Sequence, residues 1–256
     1  AAREDAAKAF YQTHRDEDDF LIFFTNFNIG MPQEWGAFYS WVRNDVQGIG
    51  RPIEDYSAGY ASNSVLQGTI DMGDVANFNL NPMAPEFEAA LYMLTNEQMH
   101  RWAAHVDFID PDTQQLSTAL RGLDGIHWSY LFDSDSSTLY GNNWQDNGDG
   151  SFTSIPPTTN LGDRGRLFSP LELYLMGIID KSEVPPMLLI DNPAIDSTLM
   201  PNVGDTITGT AKTITIDDIT AAMGDRVPAA ADAPKNFRTA FIYLTAPGAM
   251  DMQDIY

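Results

Sequence analysis

The sequence predicts an α+β fold in which a twisted sheet, mixed or mainly antiparallel, packs on one long helix. Residues 3–14 carry a helical pattern, and residues 20–24 form an apolar run between polar segments that is typical of a buried strand. Residues 37–43 and 65–72 add two strand patterns before the helical pattern of residues 86–104. This order of elements is expected when a sheet packs on one long helix.

The helix predicted over residues 86–104 has two distinct faces. At about 3.6 residues per turn its side chains divide into two stripes. The apolar stripe consists of Phe87, Leu91, Leu94 and Trp102. The opposite stripe consists of Met93, Asn96, Glu97 and His100. We therefore expect each face of this helix to have its own role.

The rest of the chain continues the mixture of strands and short helices. Ser169 and Glu172, with Pro170 between them, have the form of a capping box, and Gly177 is placed to end the helix that follows. Strand patterns at 206–216 and 237–244 flank a short helical pattern at 217–223. Since no long flexible linker is evident, we predict one domain of residues 1–191 and a smaller α/β-rich subdomain of residues 192–256 packed on it.

The charge of the chain restricts its partners. It carries 36 acidic and 14 basic residues, for a formal net charge of −22. Nucleic acids and anionic membranes need a positive surface that such a chain does not easily form, so neither is an expected partner. No stretch is apolar enough for a membrane span, and the 256 residues contain no cysteine, so disulfides are excluded. The beginning at Ala1 is expected of a mature or excised fragment.

The most informative segment of the chain is Asn96-Glu97-Gln98-Met99-His100. It has the spacing of the zinc-peptidase motif His-Glu-x-x-His, with asparagine in place of the first histidine. In the intact motif both histidines bind the metal from one helical face, and the glutamate accepts a proton from the bound water. Taken alone, Glu97 and His100 also fit ordinary surface residues, because Glu-x-x-His is a common pattern.

Three further segments follow in a fixed order and extend the similarity along roughly the whole chain. The four segments are LTNEQMHRW at 94–102, DGIHWS at 124–129, DSD at 133–135 and FSPLELYLMG at 168–177. Together they resemble a group of bacterial, secreted zincin-like metallopeptidase domains. The resemblance implies a zincin-like fold with the long helix carrying the active site, a zinc cofactor, hydrolysis of peptide or protein substrates, and a secreted or periplasmic location. It implies nothing about the oligomeric state.

The resemblance places Asn96 and His100 at the first two ligand positions and Glu97 at the position of the general base. His127, in the downstream His-Trp-Ser segment, is the candidate third ligand. Its alternative is a strand residue, because apolar side chains alternate with it from 126 to 132. His105 is less suitable because it would point about 140° away from His100 on a continuing helix.

Some zincins take a glutamate from a second helix as third ligand, which makes Glu172 a further candidate. Its place in the capping box favours a structural role. Met176 is interpreted as a core residue rather than as a methionine beneath the metal.

The replacement at position 96 has a chemical consequence. An asparagine amide is a neutral oxygen donor, whereas zinc prefers histidine and cysteine. We therefore expect weakened zinc binding and impaired hydrolysis. Three explanations are open: a natural pseudo-peptidase that keeps its cleft for binding, a site with unusual ligands, or a substitution introduced into the chain. The alternative functions are a non-catalytic domain that binds a peptide or glycan, and an acidic adhesion or structural domain whose motif match is accidental.

Two acidic segments suggest calcium. Asp133 and Asp135 lie in one segment, and Asp146 and Asp149 lie in an Asp-Asn-Gly-Asp-Gly run. Carboxylate oxygens are the ligands that calcium uses, although the spacing matches no full EF-hand. The alternative for the second segment is a hairpin turn between Trp144 and a strand at 152.

Overall fold

The computed structural model describes residues 2–30, 36–122, 124–135, 137–156, 168–195 and 200–248. These residues form an α+β structure, which confirms the predicted class. The helices are α1 (Ala2–Tyr11), α2 (Phe87–Met99), α3 (Pro170–Met176) and α4 (Ile216–Met223). The strands are β1 (Phe20–Thr25), β2 (Phe38–Trp41), β3 (Arg43–Asn44), β4 (Glu54–Asp55), β5 (Gly68–Asp74), β6 (Phe108–Ile109), β7 (Leu116–Ser117), β8 (Trp128–Asp133), β9 (Tyr140–Asn142), β10 (Trp144–Asp146), β11 (Ser151–Ser154), β12 (Met187–Asp191), β13 (Thr206–Thr208), β14 (Thr210–Ile214) and β15 (Thr239–Leu244).

The chain divides into two compact units. The first unit contains residues 1–45, 53–101 and 236–256, and the second contains residues 46–52 and 102–235. These divisions differ from the boundary predicted between residues 191 and 192, which stays a prediction. No helix in the described part of the chain has both the length and the apolar character needed to cross a membrane.

A four-stranded mixed sheet in the order β15-β1-β5-β2 forms the centre of the first unit. β1 pairs in parallel with β15 and β5, whereas β2 pairs antiparallel with β5 and lies at one edge. Successive residues of β1 are buried, which explains its apolar run, since a strand covered on both faces is apolar at successive positions. The strand predicted at residues 20–24 is therefore confirmed.

Helix α1 covers part of this sheet. The buried residues that form the core cluster are Ala7, Leu21, Phe23, Val42 and Leu66. Phe10 and Tyr11 of α1 pack against this cluster. At the start of the helix, Arg3 forms an ion pair with Asp71 of β5. The predicted opening helix is thus present, although it ends at Tyr11 rather than at residue 14, and it contributes apolar side chains to the core.

Helix α2 is shorter than the sequence predicted. It ends at Met99, so the extension to residue 104 is wrong, and the long helix expected for an active site is not observed. Residues 100–104 form turns and bends, and Ala104 has a φ of 64°, a left-handed value that an α-helix excludes. Within the observed helix the apolar stripe is also not the buried one, since Leu91 is 46% and Asn96 5% exposed. Trp102, the buried member of that stripe, lies beyond the end of the helix.

The second unit contains two further sheets. One has the order β14-β12-β8-β9, in which β12 is antiparallel to β14 and to β8 while β8 and β9 run parallel. Lys212 on β14 joins this sheet to the β6–β7 hairpin, because its Nζ contacts Asp110, Asp112 at 3.4 Å and Asp191 at 3.0 Å. The other sheet is antiparallel, in the order β10-β11-β13.

Local sequence signals in the second unit are confirmed. Ser169 and Glu172 form the predicted capping box at the start of α3, and Gly177 ends the helix in the left-handed conformation with φ of 80°. Helix α4 begins one residue before the predicted start. β10 and β11 form the predicted hairpin, in which Gly148 and Gly150 have φ of 79° and 83°.

Candidate functional site at the end of helix α2

The last turn of α2 brings three candidate site residues together in the first unit. Asn96 is 5%, Glu97 6% and His100 3% exposed. His100 directly follows the helix and keeps right-handed helical backbone angles, with φ of −56° and ψ of −16°. Asn96 and His100 therefore lie about one turn apart on the same side of the backbone. Buried polar residues at the end of a helix require polar partners.

Edge strand β2 supplies contacts to this turn. The backbone N–H of Tyr39 donates a hydrogen bond to the Glu97 carboxylate. The indole Nε1 of Trp41 donates to the backbone oxygen of His100 at 3.0 Å, and the Trp41 and His100 rings meet edge to face at 6.4 Å. The edge of the sheet thus fixes both the acid and the backbone that carries the imidazole.

Arg101 anchors the chain directly after the motif. Its side chain is 1% exposed. Nε donates to Gln67 at 3.0 Å, Nη1 donates to Asn44 at 2.9 Å, and Nη2 lies 3.4 Å from Asp45. The sequence places Arg101 only within a matching segment and does not predict this role, because its partners Gln67, Asn44 and Asp45 lie far away in the chain.

Burial raises the pKa of Glu97 to about 7 from its ordinary value of 4.5, and the hydrogen bond from Tyr39 opposes this shift. The folded protein therefore favours the protonated acid. The stability that this preference contributes is present below pH 4.5 and is lost as the pH rises through 7.

We expect Glu97→Gln to remove this pH dependence. Relative to the parent protein, the free energy of unfolding of the variant should rise by about 3 kcal/mol between pH 4 and pH 8. Urea unfolding across this range, in the presence of a chelator, measures the difference. The control is Glu88→Gln, which removes an exposed carboxyl from the same helix. If the free energies of unfolding of the parent and Glu97→Gln differ by the same amount at every pH, the raised pKa of Glu97 is not the cause of the pH dependence.

His127 lies in the second unit, one residue before β8 rather than within it. Its Nδ1 is 2.5 Å from the Asp124 carboxylate, and its ring packs on Tyr140 with centroids 4.4 Å apart. The hydrogen bond from His127 holds the pKa of Asp124 near 2, although burial opposes this. A histidine with one ring nitrogen held by a carboxylate is a common arrangement in metal ligands. The role of His127 as third ligand stays a prediction.

The angular reason for setting His105 aside does not hold. It required a helix through residue 104, whereas α2 ends at Met99. His105 is a buried residue of the second unit.

The carboxylates of the acidic segments accept hydrogen bonds from backbone N–H groups close to them. Asp146 accepts from the Gly148 N–H at 2.8 Å, and Asp149 accepts from the N–H of Ser151 at 3.0 Å. Asp133 accepts from the N–H groups of Asp135 at 3.3 Å and Trp144 at 3.4 Å. These bonds support the hairpin interpretation of the second segment, and calcium binding stays a prediction.

The Glu172 carboxylate accepts hydrogen bonds from three donors that hold it in place. The carboxylate is fully buried and accepts from Trp128 Nε1 at 2.9 Å, from the Ser169 N–H at 2.8 Å and from the Ser137 hydroxyl. Burial raises its pKa, while the hydrogen bonds from Ser137, Ser169 and Trp128 oppose the shift. Three donors around one carboxylate favour the capping role over metal binding.

The donors on the last turn of α2 do not fit a tight zinc site. Zinc sites are built from three or four strong donors, usually histidine or cysteine. This turn offers the His100 imidazole and the weak amide oxygen of Asn96. Over the described ranges, no three histidine, aspartate or glutamate side chains are grouped in a way that could hold a metal ion. Because Asn96 offers only an amide oxygen, position 96 lacks the strong donor that a zinc site needs.

The functional interpretation rests on the residues of the chain itself. No protein-family model, curated protein or solved structure matches the chain. The zincin resemblance consists of the ordered motif segments alone.

Proposed function

We propose that the chain is a zincin-type metallopeptidase-like domain of a secreted bacterial protein, in which Asn96 impairs hydrolysis of peptide bonds. The observation that supports this proposal is the joint burial of Asn96, Glu97 and His100 on one turn, next to a sheet edge. An accidental Glu-x-x-His on a surface helix would leave these side chains in solvent. Joint burial, with a backbone partner for the Glu97 carboxylate, is instead typical of an ordered polar site.

In this proposal each residue has a defined part. Zinc, when bound to an intact site, lowers the pKa of a water molecule and supplies the nucleophile. The Tyr39 N–H orients the Glu97 carboxylate, which would accept the proton. Trp41 holds the backbone of His100, and Arg101 fixes the chain beyond it. Asn96 is the weak component.

A non-catalytic binding domain is the second candidate function. The donor set favours it, because one imidazole and one amide cannot replace a histidine pair as zinc ligands. Such a pseudo-peptidase would keep the surface around α2 and β2 for a peptide or protein ligand. The two candidate functions differ in one expected result: whether a histidine at position 96 restores peptide hydrolysis.

A peptide-cleavage assay separates these functions. With zinc supplied, Asn96→His should cleave members of a quenched-fluorescence peptide library, and Asn96→His with Glu97→Gln should not, because the proton acceptor is then missing. The parent chain should be far less active than Asn96→His. If Asn96→His binds zinc tightly but cleaves no peptide, the binding-domain function is favoured. If it binds no zinc, the zincin proposal itself fails.

A further inference from the structure

The second unit contains a cavity that the proposed function does not use. Its volume is about 250 Å³. It lies between the end of β8, the start of α3 and the segment that leads into β12. Its apolar lining residues include Leu171, Pro185, Pro186, Met187 and Leu188. Drug-sized ligands occupy pockets of about 300 to 1,000 Å³, so this volume fits a smaller molecule.

The lining combines two carboxylates, Asp133 and Asp135, and two hydroxyls, Ser134 and Ser169, with apolar walls. Asp133 is half-buried at the end of β8 and has no ion pair among the described residues. Its two hydrogen bonds, from backbone N–H groups at 3.3 and 3.4 Å, are long. Burial raises its pKa to about 6, so that the carboxyl is still largely ionised at neutral pH. Partial burial of a carboxylate without a cation costs free energy, and a bound cation would offset part of that cost.

The number of side-chain oxygens distinguishes an organic cation from a metal ion. Calcium takes about six to eight oxygen ligands. The cavity offers the two carboxylates, while the Ser134 and Ser169 hydroxyls already bond to the backbone of Tyr140 and Glu172. No three acidic or histidine side chains are grouped for a metal among the described residues. Methylene groups, in contrast, are stabilised by contact with the apolar walls.

We propose that this cavity binds a primary ammonium group on a short aliphatic chain, with Asp133 accepting hydrogen bonds from the ammonium and the apolar walls covering the methylene groups. The ammonium could belong to a free alkylamine or to a lysine side chain of a peptide. The net charge of −22 favours the approach of either cation.

Isothermal titration with n-butylammonium chloride tests the charge and the aliphatic chain together. We expect saturable binding by the whole chain, and much weaker binding of n-butanol, which has similar length without the charge. Binding of n-butanol as strong as that of n-butylammonium would overturn the proposal, and so would the absence of saturable n-butylammonium binding.

Two variants assign the binding to the cavity. Asp133→Asn should lower the affinity for n-butylammonium about tenfold or more, because it removes the charged acceptor. Its control is Asp232→Asn, which removes an exposed carboxyl elsewhere in the same unit. Leu188→Trp should abolish binding by filling the cavity and leaves Asp133 intact. Its control is Leu116→Trp at a site that is 59% exposed. Unchanged affinity in either cavity variant, with folding verified by circular dichroism, would overturn the assignment.

Competition experiments distinguish the source of the ammonium. Nα-acetyl-lysine methylamide should displace n-butylammonium if the natural ligand is a lysine side chain, and binding of the alkylamine alone would point to a free amine. Both results support an ammonium site. Tight calcium binding that is lost in Asp133→Asn and that displaces the amine would instead identify a metal site and reject the proposal.

Discussion

Zinc affinity is expected to rise by about 100-fold or more when Asn96 is replaced by histidine. The replacement supplies an imidazole one helical turn before His100, on a backbone that is already helical at both positions. The weak amide donor is thereby exchanged for a ligand that zinc prefers. Metal analysis after dialysis, together with competition against a chromophoric chelator, measures the change.

Control variants separate a restored site from nonspecific binding. Asn96→His combined with His100→Ala should return to the affinity of the parent chain. Asn96→His combined with His127→Ala tests the predicted third ligand, because loss of affinity would support it. Asn79→His adds a histidine at an exposed position and should have no effect. Equal zinc content in the parent and Asn96→His would show that position 96 does not control the metal.

Glu172→Ala is expected to lower the free energy of unfolding by about 3 to 5 kcal/mol. The substitution leaves the Trp128 Nε1–H and the Ser169 N–H without their acceptor in a fully buried environment. It also removes half of the capping box at the start of α3. Urea unfolding at constant pH measures the loss.

A second capping box provides the matched control. Asp180 and Glu183 form the same arrangement at an exposed 3-10 turn in the second unit. Glu183→Ala should cost about 1 kcal/mol or less, because water replaces the lost acceptor. Similar losses for both variants would mean that the buried partners of Glu172 contribute little. Glu172→Gln keeps the shape of the side chain and should be less destabilising than Glu172→Ala.

Sequence patterns predicted the features that depend on neighbouring residues. The apolar run of β1 indicates that successive residues of the strand are buried, and the spacing from Ser169 to Glu172 predicted a capping box that the structure contains. The hairpin at Gly148 was likewise visible, because a turn with positive φ angles favours glycine and asparagine. Each signal lies within a few residues along the chain.

The end of α2 could not be predicted in this way. Helical periodicity continues to residue 104, but the chain leaves the helix after Met99. The contacts of the following residues come from distant segments: Trp41 binds the backbone of His100 across 59 positions, and Asn44 binds Arg101 across 57. Hydrogen bonds to such partners decide a helix end independently of local propensity.

The sequence alone determined the α+β class, the local caps and turns, and the chemical deficiency at position 96, because each depends on residue type or short spacing. Only the tertiary structure decided that the polar stripe of α2 is the buried one and that Glu97 is held by Tyr39. It also decided that Glu172 is enclosed by three donors. Burial and partner choice are set by strands and loops that lie far away in the chain, and a local pattern contains no information about them.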